Sequence, residues 1–104
     1  MFLVIRVEAA RREPAARGQA NADADGQKLA AALNGRLVAG LGTQDRGVKQ
    51  EVSFVLTRVP TMPSVITEAS FVTNDEEAKK WTQGDRAAVE ADSLYQGIND
   101  YFSA

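Results

Sequence analysis

The sequence contains no histidine and no cysteine. The first absence removes the commonest transition-metal ligand and the side chain that most often serves as a general base near neutral pH. A Ser-His-Asp set is excluded with it. The second absence removes disulfides and thiolate chemistry. Any metal site must therefore draw on carboxylates, carbonyls or residues of another chain.

Charge of one sign is also lacking. Twelve basic and fourteen acidic residues leave a formal charge of −2, which gives no electrostatic case for nucleic acid or an anionic membrane. The basic cluster Arg6, Arg11, Arg12 and Arg17 is diluted by Glu8 and Glu13 and reads as a solvated strand end and loop. No stretch reaches the ~20 apolar residues of a membrane span. The apolar start Met1–Ile5 is cut off by Arg6, too soon for a signal peptide, and localisation stays unassigned. Gly35, Gly40 and Gly42 do not form Gly-x-Gly-x-x-Gly after a strand, and no nucleophile elbow or phosphate-binding loop is present.

What is there fits one compact domain over residues 1–104. Hydrophobic residues make up 44% and charged residues 25%, close to the globular average, so global disorder is not expected. A domain this short buries a modest core.

Phe2–Val7 is a β-branched run of strand length. Ala9–Asn21, with Pro14 and Gly18 and no period, reads as a loop. Asp23–Leu41 is a helix candidate, with Asp23 or Asp25 to cap it, Leu29, Leu33 and Leu37 on one face, and Gly40 and Gly42 at its end. Gln44–Gln50 is a polar turn around Gly47. Val52–Val59 alternates as a strand, Pro60 and Pro63 flank a connection, and Ser64–Glu68 is a further short strand. Asn74 with Glu77 suggests a capped helix, which Gly84 breaks. Asp85 can cap a last helix with a stripe of Leu94, Ile98, Tyr101 and Phe102. Trp81, Tyr101 and Phe102 read as core anchors. The order strand, helix, strand, strand, helix, helix predicts an α/β fold, a small mixed sheet of about three strands packed with about three helices.

Four segments have a familiar order: Arg46-Gly47-Val48-Lys49, Phe54-Val55-Leu56, Met62-Pro63-Ser64-Val65-Ile66-Thr67-Glu68 and Phe71-Val72-Thr73-Asn74, followed by Ile98, Tyr101 and Phe102 in the last helix. This set resembles the C-terminal half of the zinc-dependent N-acetylmuramoyl-L-alanine amidases, which cut peptidoglycan. The resemblance covers about Asp45–Phe102 and, more weakly, the first helix. It implies half of an amidase fold, truncated relative to the family. It places Glu68 at the family's catalytic glutamate, which beside a zinc-bound water would take and return a proton. It also makes Arg46, Lys49 and Asn74 substrate-binding candidates and a peptidoglycan peptide a candidate partner. Family members are usually exported.

The pattern also departs from the family. Its zinc-ligand histidine lies in a strand reading Ser-Ile-His-x-Asn-Ala, and the corresponding residues here are Val4-Ile5-Arg6-Val7-Glu8-Ala9. Arg6 then replaces the histidine, and a protonated guanidinium has no lone pair to donate. Ser70 replaces the family's glycine before phenylalanine. The expectation is therefore no zinc cofactor and no catalysis by the chain alone. Glu8 and Glu68 sharing a hard cation is one arrangement of the vacated site; an Arg6–Glu68 ion pair is the favoured one. Glu68 facing solvent or pairing with Lys49 is the plain structural alternative. Half a sheet exposes strand edges and apolar faces, which predicts a homo-oligomer through one or the other. The remaining alternatives are amidase activity once a missing N-terminal segment is supplied, or a self-associating binding scaffold of engineered origin.

Overall fold

The computed structural model describes residues 3–12, 17–51, 62–71 and 75–104. Its elements run β1 (Leu3–Ala10), α1 (Arg17–Leu41), β2 (Val48–Glu51), β3 (Val65–Phe71), α2 (Asp75–Thr82) and α3 (Arg86–Ser103). The α/β class, with a three-stranded mixed sheet and three helices, is the one the sequence predicts. The strands form one mixed sheet in the order β2-β1-β3, β1 being parallel to β2 and antiparallel to β3. Helix α1 lies against one face of this sheet, and α3 packs along α1.

Alternation in β1 decides which face is buried, because successive strand side chains point to opposite sides. Val7 and Ala9 are fully buried and join Ala30, Leu37 and Leu41 of α1 in the core. Val48, Val65, Trp81, Val89 and Leu94 pack against that cluster. Burying a side chain such as Leu37 is worth roughly 1.5–3 kcal/mol. Arg6 and Glu8 point the other way, onto the sheet face that α1 does not cover.

Several expectations are corrected. Ala9–Asn21 is not a loop throughout: β1 continues to Ala10, and α1 starts at Arg17 rather than Asp23. Neither Asp23 nor Asp25 caps α1, since both lie inside it. The buried face of α1 is Ala22, Gly26, Ala30, Leu33, Leu37 and Leu41, a run at intervals of three and four; Leu29 is only half-buried. Gly40 is still helical, and the stop falls to Gly42. Its φ of +65° is the left-handed turn that glycine accepts after a helix, and its N–H donates to the Val38 carbonyl at 3.0 Å. The predicted strand Val52–Val59 lies outside the described residues; the strand parallel to β1 is Val48–Glu51, most of it in the stretch Gln44–Gln50 read as a turn. Asp85 stands at the N-cap of α3, but its side chain makes no capping hydrogen bond.

The last helix differs most. Its contact with α1 runs through small residues, the buried Ser93 and Gly97. A Cβ on Gly97 would lie 2.8 Å from Leu33 Cδ2 and 2.9 Å from its Cα, so glycine is what lets the two helices approach. Leu94 packs on the core as expected, and Trp81 is half-buried against it. Phe102 is no core anchor: it is 78% exposed, its ring edge-on to the half-buried Tyr101 at 5.0 Å. Ile98 and Tyr95 are exposed too.

Arg12 overturns the reading of the basic cluster as solvated. It is 4% exposed and ion-paired with Asp23, while its Nη2 donates to the Met62 carbonyl at 3.0 Å and to Ser64 Oγ at 3.3 Å. Its backbone N–H also donates to Asp23 Oδ2 at 2.7 Å. One guanidinium thus ties the end of β1 to α1 and to the lead-in of β3.

Candidate functional site

Glu68 sits in the middle of β3, directly opposite Arg6 in the antiparallel register. Partnered residues share a sheet face, and the Arg6 guanidinium follows: its Nη1 lies 3.6 Å from Glu68 Oε2 and its Nε 3.9 Å from Glu8 Oε1. Arg6 therefore bridges the two carboxylates that a shared cation would have needed. Glu8 in turn stands in register with Lys49 of β2 on one side and Ile66 of β3 on the other. The open face of the sheet carries a ladder of alternating charge, Lys49, Glu8, Arg6 and Glu68.

The candidates from sequence fall in different places. Glu68 and Lys49 share the open face but lie on the two outer strands, and the ion partner of Glu68 is Arg6, not Lys49. Arg46 lies before β2 in an exposed turn. Asn74 lies outside the described residues.

The Arg46–Gly47 turn is held by Asp45. Asp45 Oδ1 accepts from the Gly47 N–H at 2.8 Å and from Asn34 Nδ2 at 2.9 Å, and Gly47 takes a φ of +72°. The Asn34 amide, then the Gly47 N–H, pull the Asp45 carboxyl below its ordinary value. The Arg46-Gly47-Val48-Lys49 segment is thereby clamped to α1. Nothing in the residue pattern pairs Asn34 with Asp45; the polar Asn34 on the buried face of α1 was the only signal.

The chain offers no histidine or cysteine, and among the described residues no three of Asp, Glu, His or Cys converge. The charge between Glu8 and Glu68 is a guanidinium, which repels a cation instead of ligating it. These residues do not fit a zinc centre.

The mixed three-stranded sheet, helix-backed on one face and carrying Glu68 on an outer strand, defines an α/β fold of the amidase type. Residues 10–100 match the N-acetylmuramoyl-L-alanine amidase family, and the chain belongs to that family. It is 42% identical over 78 residues to an uncharacterized cell wall amidase of Bacillus anthracis. It is 40% identical over 77 residues to the N-acetylmuramoyl-L-alanine amidase LytC of Bacillus subtilis. These matches cover 75% and 74% of this chain and 14% of each relative. Among solved structures it superposes on the CwlD amidase from Clostridioides difficile, determined in complex with the GerS lipoprotein, with a TM-score of 0.71 at 23% identity. That superposition takes in 96% of this chain and 47% of CwlD.

Proposed function

We propose that the chain is a module of the peptidoglycan amidase fold that does not hydrolyse its substrate alone. The carrying observation is Arg6 opposite Glu68 at 3.6 Å. By resemblance Arg6 takes the place of a metal-ligating histidine and Glu68 that of the proton-transferring glutamate. The Glu68 carboxylate is paired with a guanidinium, and without a metal-bound water it has no nucleophile to activate. Arg46 and Lys49 remain as groups that can hold the carboxylates of a peptidoglycan peptide.

The test is digestion of purified peptidoglycan with and without added zinc, read as release of peptides with a free L-alanine N-terminus. No release is expected in either condition, and zinc is expected to leave the melting temperature unchanged. Release that disappears in Glu68→Gln would overturn the proposal.

A second reading is favoured by the superposition on 47% of CwlD: the glutamate strand works when a complementary N-terminal amidase segment supplies the rest of the site. Mixing the chain with such a segment from a family member and assaying Glu68-dependent cleavage decides between the two.

A further inference from the structure

Helix α3 is apolar on two sides. Its inner side, Val89, Ser93, Leu94 and Gly97, meets α1 and the core. At 3.6 residues per turn, Ala87, Ile98, Ala91, Phe102, Tyr95 and Ala88 fall together within an arc of about 100° on the outer side. All six are exposed, Phe102 at 78%, Tyr95 at 68% and Ile98 at 45%. An uninterrupted apolar arc of this width is what a helix ordinarily buries.

Residue sizes along the arc are graded. The N-terminal half carries only alanines, and the C-terminal half carries Tyr95, Ile98 and Phe102. If two such helices run antiparallel about a two-fold axis between Leu94 and Tyr95, Phe102 falls opposite Ala87 and Ile98 opposite Ala91. Phe102 and Ile98 each then meet an alanine, as ridges and grooves require, and Tyr95 lies beside the axis against its own copy. A parallel pair would set Phe102 against Phe102 and leave a gap between the alanines. A two-fold contact must be self-complementary, and this stripe is.

The area agrees with that occupant. Tyr and Phe each present about 150–250 Å². With most of two rings, half of Ile98 and three alanines, one copy offers roughly 500–600 Å². A pair would bury about 1,000–1,200 Å², at the lower limit of specific interfaces.

We infer that the outer face of α3 is a homodimer interface in which two copies of this chain pair their last helices antiparallel, with a dissociation constant in the micromolar range. Sedimentation equilibrium from about 1 μM to about 1 mM should show the mass rising from 11.2 kDa toward twice that value. Ile98→Glu should hold the chain monomeric throughout. Ile98→Ala alone and Ala91→Ile alone should each weaken association about tenfold, the first by a hole and the second by a clash. The double swap should recover most of it, which non-specific stickiness would not do.

Because the chain lacks cysteine, single-cysteine variants read the geometry directly. Tyr95→Cys should cross-link to itself on oxidation. Ala87→Cys should not, yet it should cross-link to Phe102→Cys when the two are mixed. A wild-type chain that stays at 11.2 kDa across the range overturns the inference. So does association that survives Ile98→Glu, which would point to a sheet edge, or Ala87→Cys cross-linking to itself.

Discussion

Arg6 and Glu68 face each other across the β1–β3 ladder, 3.6 Å apart, with side chains 63% and 53% exposed. An exposed cross-strand pair contributes about 0.2–1 kcal/mol and is screened by salt. Glu68→Gln is therefore expected to lower stability by less than about 1 kcal/mol. Urea denaturation at low and high salt checks this, and the difference between wild type and variant should shrink at high salt. A larger, salt-independent loss would mean that Glu68 does more in the fold than pair with Arg6.

The Arg12–Asp23 pair belongs to another class. Its side chains are 3% and 10% exposed, and removing one partner leaves the other charge buried. Asp23→Ala should cost about 3–5 kcal/mol, a large share of what a small domain has. Chemical denaturation, or loss of the folded circular dichroism signal, reports it.

Two glycine substitutions should act in opposite directions. Gly97→Ala places a methyl group 2.9 Å from the Leu33 backbone and 3.2 Å from the Ala32 carbonyl, and forcing α1 and α3 apart should cost about 1–3 kcal/mol. Gly35 is exposed within α1, and a Cβ there meets nothing within 4 Å. Gly35→Ala should therefore stabilise by about 0.5–1 kcal/mol through helix propensity. Thermal melts of the two variants measure both signs.

Acid sensitivity follows from two aspartates. Arg36 donates Nε and Nη2 to the two oxygens of Asp100 at 2.7 and 3.0 Å, and these hydrogen bonds hold the Asp100 carboxyl below its ordinary value of 3.8. Asp45 is lowered in the same direction by Asn34 and Gly47. A folded-state value below the unfolded one gives stability that is fully present above the unfolded value and is lost as pH falls through the folded one. Stability should therefore hold from neutral pH to about pH 4 and decline below it. Asp100→Asn should flatten that acid limb in denaturation curves recorded across the range.

The sequence by itself determined the class of fold and the family. Those follow from local periodicity, from turn residues and from an ordered set of short motifs. The missing histidines and Arg6 at the aligned position also sufficed to predict the Arg6–Glu68 pair, because β-strand register brings side chains together in a regular way. Tertiary structure alone decided the rest. Arg12 looked like one more solvated cation, and only the path of α1, starting at Arg17, brings Asp23 back over it. Asn34 and Asp45 meet for the same reason. In α3 the periodicity announces apolar residues but not which arc has a neighbour. The side that packs on α1 is built around Ser93 and Gly97, whose small size permits close approach and does not read as hydrophobic. Of the stripe Leu94, Ile98, Tyr101 and Phe102, only Leu94 packs on the core, and Ile98 and Phe102 are left facing outward. Burial is a property of where the chain returns to, and a one-dimensional pattern does not contain it.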